Sequence, residues 1–312
     1  MRIKRLISSV FVAAAITASF GLASKNLYAG QAPMELTDSH GHYEKISKDL
    51  NLYYHDSGRG PVMLFIPGWT MPSDVFKAQI DYFDKNYRVI AIDPRSQGRS
   101  TKTLENNNYT QHGEDLGKFI DALKLKNVTL VAWSWGCLDA YSYMRQKGVD
   151  NLHAFVCVDA SPKPSGNKTE WAAADYQDWG VDLIQPVIYN REAFSKAWAQ
   201  SMVERQLTAD EQNWIVNESL HTPTFAAIGL ASDAIYADYQ PEAELLDEKK
   251  IPTLDFLDQA LSANAMHWLQ NHAPHAKTKI MGKHFMFWER PNEFNQTLNE
   301  FLGGKYKESS AS

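Results

Sequence analysis

The chain is poor in cysteine: among 312 residues there are only Cys137 and Cys157. That excludes a fold stapled by several disulfides. Cys157 sits inside the apolar run "AFVCV", and Cys137 follows a tryptophan-flanked serine. Two buried free thiols are expected, the alternative being a single disulfide that only geometry decides. An excess of positive charge is also missing. With 31 Lys and Arg against 37 Asp and Glu, the net charge is −6 and the signs are interspersed. A nucleic-acid partner, which needs a basic face, is therefore not expected. Internal repeats and low-complexity segments are absent, and beyond Phe20 no apolar run is long enough to span a membrane. The pairs His40/His42 and His272/His275 lack a companion set of acids or cysteines. They are expected to be solvated rather than bound to metal.

What is present is enough apolar content, 44%, to pack one large domain or one domain carrying an insertion. The N-terminus differs from the rest. Arg2, Lys4 and Arg5 precede a mostly apolar run from Leu6 to Phe20, and small residues follow at Gly21 and Ala23. This layout predicts an export signal over residues 1–23, with a second candidate cut after Ala32, and hence a periplasmic or secreted protein. The rival reading, an uncleaved anchor, suffers from a short run interrupted by Ser8, Ser9, Thr17 and Ser19.

Past that leader, "YEKISKDLNLYYHDSGRG" reads as two strands and a Gly-rich turn. "PVMLFIPG", "YRVIAIDPRSQGRS", "NVTLVAW" and "HAFVCVD" are short continuous apolar runs, the pattern of strands buried on both faces. Helical patterns alternate with them. Leu116, Phe119, Ile120 and Leu123 share one helix face, and the helix holding Tyr141 and Met144 stops at Gly148. Such alternation means βαβ units and a mostly parallel α/β sheet with helices on both faces. Residues 161–250 break the rhythm with helix formers and many aromatics, read as a helical cap over one end of the sheet. The core then comprises 33–160 and 251–304. "IPTLDFL" and "AKTKIMG" are its last strands, with the helix-like "ANAMHWLQNH" between them. A closing helix begins at Pro291 and ends at Gly303, and the tail 305–312 is expected to fray.

The segment "NVTLVAWSWGCLDAYSYM", residues 127–144, places Ser134 between a β-branched strand and a helix. A serine hydroxyl becomes a nucleophile when a base takes its proton and a strained turn presents the oxygen. A strand-to-helix elbow does this but needs small residues two positions either side, supplied here by Ala132 and Gly136. "FIPGW" follows the first buried strand, so the Trp69 N–H can join that of Trp135 as an oxyanion hole. "GKHFMFWERPNEFN" puts His284 directly after the last strand, within reach of the same sheet end.

From about residue 50 to 302, these motifs resemble the α/β-hydrolase fold family. "DPRSQGRS" is similar to its D-x-R-G-x-G-x-S turn with Ser96 for a glycine, and Pro67 stands where a histidine is usual. The resemblance implies Ser134 as nucleophile, His284 as base, and no cofactor. Asp93, Arg95 and Gly98 are read as structural. The acid departs from the common pattern, because "PTLDFLDQALSA" lacks the G-x-x-D turn and Asp258 arrives at the strand end. Some members carry the acid one strand earlier, where Asp159 stands. Asp159 is preferred, Asp258 is the alternative, and Asp255 in mid-strand is third. A serine rather than an aspartate nucleophile disfavours epoxide-hydrolase and dehalogenase chemistry. The resulting expectation is a serine hydrolase acting on a small or medium apolar acyl substrate. Perhydrolase-type or cofactor-free oxygen chemistry, and a non-catalytic binder on the same fold, are the competing readings. The natural substrate and the oligomeric state lie beyond the sequence.

Overall fold

The computed structural model of the chain describes residues 40–167 and 170–303. The expected leader and the tail 305–312 lie outside the described residues. Eight strands form one sheet: β1 Gly41–Ser47, β2 Leu50–Gly58, β3 Val62–Ile66, β4 Arg88–Ile92, β5 Val128–Trp133, β6 Leu152–Val158, β7 Thr253–Leu257 and β8 Lys277–Ile280. Their spatial order is β1-β2-β4-β3-β5-β6-β7-β8. The two N-terminal strands pair antiparallel, β2 also with β4, and the remaining pairs are parallel. This is the α/β sheet expected from the alternating runs.

The runs are apolar throughout because successive side chains enter two different cores. Leu64, Ile66, Leu130, Ala132, Phe155 and Cys157 face one side. There they meet α2 (Tyr109–Ala122) and α3 (Gly136–Lys147) through Leu116, Phe119, Leu138 and Tyr141. Met63, Phe65, Val131, Trp133, Val156 and Val158 face the other. They meet α1 (Lys77–Phe83) and the C-terminal helix Pro291–Phe301 through Ile80, Phe83, Phe294 and Leu298. Capping follows local chemistry. Asn108 accepts the Gln111 N–H at the start of α2, and Gly148, at φ +73°, closes α3 with a 2.7 Å bond to Met144 O. Cys137 and Cys157 are both buried free thiols.

The segment between β6 and β7 holds α4 (Tyr176–Trp179), the π-helical turn Gly180–Ile184, α5 (Gln185–Tyr189), α6 (Arg191–Ser201), α7 (Ala209–His221) and α8 (Thr224–Tyr236). These helices lie over the carboxyl ends of the parallel strands. The Trp69 indole N–H donates to Ala227 O at 2.9 Å, and Thr70 Oγ1 bonds Ser219 Oγ at 2.9 Å. The next helix, α9 (Gln240–Glu248), belongs to the layer flanking the sheet: Glu242 forms a two-bonded ion pair with Arg145 of α3. After it come α10 (Ser262–His272), α11 (Met286–Glu289) and α12 (Pro291–Phe301). At the surface His272 pairs with Glu244 and His275 with Asp247.

One buried group works against this packing. Asp255, 2% exposed in the middle of β7, has a side-chain oxygen without a hydrogen-bond partner among the described residues. Burial pushes its carboxyl up to about 7. A carboxyl raised in the folded state stays protonated there while the unfolded chain has already ionised. Stability therefore falls as pH rises from about 4 to about 7, then levels off, at roughly 1.4 kcal/mol per unit of pKa difference. Asp255→Asn is expected to raise Tm by several degrees at pH 8 and far less near pH 4, which thermal unfolding at the two pH values checks.

Candidate active site

The site is assembled from residues that immediately follow strands. β5 ends at Trp133, and Ser134 takes a left-handed backbone, φ +54°, before α3 begins at Gly136. Its N–H donates to Val158 O at 2.8 Å, which ties the elbow to the end of β6. The expected need for small flanks has a visible cause. Ala132 is fully buried between Ile66 and Cys157 of the neighbouring strands. A Cβ on Gly136 would come within 2.5 Å of Pro67 O and 2.8 Å of Ile66 O. On the other side, a Cβ on Gly68 would sit 2.9 Å from Ser134 Cβ. The loop through Pro67, Gly68 and Trp69 is thus pressed directly against the serine.

His284 lies in the turn after β8, entered through Gly282 at φ +58°. Its Nε2 is 2.9 Å from Ser134 Oγ, and its Nδ1 is 2.6 Å from Asp159 Oδ2. With Nδ1–H donating to the carboxylate, Nε2 is left as the acceptor for the serine proton. Asp159 follows β6, also left-handed at φ +55°, and its N–H bonds Phe256 O. Its other oxygen accepts the Asp258 N–H at 3.0 Å. The Asp258 carboxylate points elsewhere and accepts the Leu261 N–H at 2.7 Å. Burial, then the charge of Asp159, raises the Asp258 carboxyl. Of the three candidate acids, Asp159 is the one on the imidazole. Asp258 holds it in place through the backbone, and Asp255 is remote in mid-strand.

The backbone N–H groups of Trp69 and Trp135 have no protein acceptor among the described residues, as donors available to an oxyanion require. Two supports of this arrangement escaped the sequence reading. Gln97, inside "DPRSQGRS", donates to Gly68 O and Met71 O and accepts the Thr70 N–H, so it fixes the loop that carries Trp69. Trp133 donates its indole N–H to His284 O at 2.8 Å and stacks on Phe285 at 4.6 Å and 5°. The cluster of aromatics in "HFMFWE" was the available signal for the second. The first had none, because a glutamine in a turn is ordinary. Asp93 acts as the turn's anchor, accepting the Ser73 and Arg99 N–H groups at 2.6 Å each. Gly98 is required beside it, since a Cβ there would lie 2.1 Å from the carboxylate.

The model of the alpha/beta hydrolase fold family matches residues 61–291. An AB hydrolase superfamily protein of Bacillus subtilis is 25% identical over 219 residues, 69% of this chain and 79% of that one. Among solved structures, a bromoperoxidase from Bacillus anthracis superposes with a TM-score of 0.77 at 22% identity, covering 84% of this chain and 99% of that one. An esterase from Exiguobacterium antarcticum does so with a TM-score of 0.77 at 20% identity and the same coverages. The two solved structures show a shared fold.

The close approach at the elbow gives a direct test. Gly136→Ala forces a methyl against two backbone carbonyls, and a cost of about 1–3 kcal/mol is expected. Urea unfolding of the variant and the parent measures it, and an unchanged midpoint would refute the packing described.

Proposed function

The chain belongs to the alpha/beta hydrolase fold family, and from that premise we propose that it is a serine hydrolase cleaving an ester, lactone or related acyl bond of a small to medium apolar substrate. The observation that carries this reading is the unbroken bonded chain Ser134 Oγ–His284 Nε2 and His284 Nδ1–Asp159 Oδ2. Ser134 Oγ attacks the acyl carbon as His284 Nε2 takes its proton. Negative charge on the former carbonyl oxygen is received by the Trp69 and Trp135 N–H groups. Asp159 holds the imidazole tautomer and offsets the positive charge it acquires. Collapse expels the alcohol, which leaves with the proton from His284, and Ser134 is acylated. Water then attacks the acyl carbon as His284 Nε2 takes its proton, and collapse of this second adduct breaks the bond to Ser134 Oγ, which recovers that proton as the acid leaves. Apolar substrates are favoured by the partly exposed rings of Trp135, Trp179, Phe194 and Trp198 around the serine.

The reading is tested with a fluorophosphonate probe and short p-nitrophenyl esters. Wild type is expected to label and to turn over, and Ser134→Ala to do neither; equal behaviour of the two favours a non-catalytic binder. Asp159→Asn is expected to lower kcat by about 10³–10⁴, since it removes the carboxylate that orients the base. Asp258→Asn keeps its backbone N–H and is expected to lose far less; the reverse ranking would reassign the acid.

We also propose export, on the strength of the N-terminal layout Arg2–Ala23. Expression of the full chain in a Gram-negative host is expected to give a periplasmic product beginning at Ser24. A cytoplasmic product that keeps the leader would overturn this.

A further inference from the structure

Thr70 directly follows Trp69 and has a left-handed backbone, φ +65°. A β-branched side chain strains that conformation, so something must hold it there. Every polar group of Thr70 is engaged. Its N–H donates to Gln97 Oε1 at 2.9 Å, its carbonyl accepts the Thr222 hydroxyl at 3.3 Å, and its own hydroxyl meets Ser219 Oγ at 2.9 Å. Two of these three contacts come from the corner between α7 and α8. The first turn of α8, beyond that corner, also accepts the Trp69 indole N–H at Ala227 O.

The corner hangs on one side chain. Arg191, buried at the first position of α6, donates to Ser219 O at 2.6 Å, to Thr222 O, and to Thr224 Oγ1 at 3.4 Å. It meets no carboxylate among the described residues, and burial lowers its guanidinium to about 10. A buried cation in the first turn of its own helix loses hydration and opposes the helix dipole. What offsets this is the carbonyl end of α7, where the dipole is negative and the last C=O groups lack helical partners. A neutral side chain of similar bulk would avoid the cost. Only the planar fork, however, joins the last turn of α7, the corner and the first residue of α8 in one fixed spacing.

We infer that Arg191 is a positioning residue for acyl transfer at Ser134: it holds the α7–α8 corner, the corner holds Thr70, and Thr70 sets the backbone N–H of Trp69 toward the oxyanion. The inference rests on the serine-hydrolase reading and adds to it a residue that touches neither substrate nor triad. With the corner released, Thr70 can relax out of the left-handed region, and the adjoining Trp69 shifts with it.

Benzyl trifluoromethyl ketone tests this. Ser134 Oγ adds to its carbonyl carbon, the serine proton passes to His284 Nε2, and the ketone oxygen is left as an anion facing the two N–H groups. The corresponding alcohol enters the same site and forms no oxyanion. Arg191→Met is expected to weaken inhibition by the ketone about 10-fold or more, with kcat/KM for p-nitrophenyl acetate falling in step and inhibition by the alcohol changing less than about 2-fold. Arg191→Lys keeps the charge without the fork and is expected to fall between. Thr70→Val added to Arg191→Met is expected to cost little more, because both act through one chain of contacts. Equal weakening of ketone and alcohol, or no loss with either, overturns the inference; should Arg191→Met not fold, Arg191→Lys is read by the same comparison. If wild type neither cleaves p-nitrophenyl acetate above Ser134→Ala nor binds the ketone better than the alcohol, the hydrolase reading fails by itself. The hold on the loop is then judged by amide exchange: Arg191→Met is expected to speed exchange of the Thr70 and Met71 N–H groups, bonded to Gln97 Oε1 and Gly68 O, by about 10-fold, and unchanged exchange overturns it.

Discussion

A non-glycine residue in the left-handed region carries a strain of about 1–3 kcal/mol and persists only where its surroundings leave no alternative. Ser134 is in that position because three constraints act on it together. Its N–H is committed to Val158 O, Gly136 is pressed on the carbonyls of Ile66 and Pro67, and Gly68 approaches its Cβ. Relaxing the serine would break the bond to β6 or drive the first turn of α3 into β3. The hydroxyl is thus presented by packing of the two central strands, and His284, Asp159 and the backbone N–H groups of Trp69 and Trp135 are all located relative to it.

Much of this was legible in the sequence, and for definite reasons. Runs such as "VMLFI" and "VTLVAW" are readable because both faces of a parallel strand enter a core, leaving no polar positions to confuse the pattern. Ser134 was readable because it stands at the end of such a run, and His284 because the segment "HFMFWERPNEFN" resembles the family's C-terminal histidine segment, although the strand before it, KTKI, is half exposed. The acid was harder. Asp159 and Asp258 end adjacent parallel strands at nearly the same level, so sequence offers two carboxylates for one imidazole. What separates them is where each side chain turns: Asp159 toward His284, Asp258 toward the Leu261 N–H. Rotation about a few bonds leaves no periodicity. Gln97 and the Trp133 indole are in the same class, since both act through backbone carbonyls that any residue could offer.

The two aspartates also show how position divides labour between like groups. Side by side, two ionised carboxylates raise each other's cost of ionisation. Asp159 has one oxygen on the histidine and the other on a backbone N–H, so its charge is received twice. Asp258 accepts from the backbone at Leu261 and Ala260 and bonds no cation among the described residues, and burial, then the charge of Asp159, raises its carboxyl. Its contribution to Asp159 is made by the peptide group, which is insensitive to the side chain's ionisation.

The link between Trp133 and His284 O joins two parts of the chain 151 residues apart. Trp133 is the last residue of the strand that delivers Ser134, and its ring lies in the same core as Phe285, Phe287 and Phe294. One side chain therefore sets the loop of His284 from the strand that delivers Ser134, with the core as its bearing. The distance between the two reacting groups is an internal dimension of that core rather than a property of two independent loops. Loosening on the Phe287 side of the sheet would reach the hydroxyl as a misplaced proton acceptor well before any strand came apart.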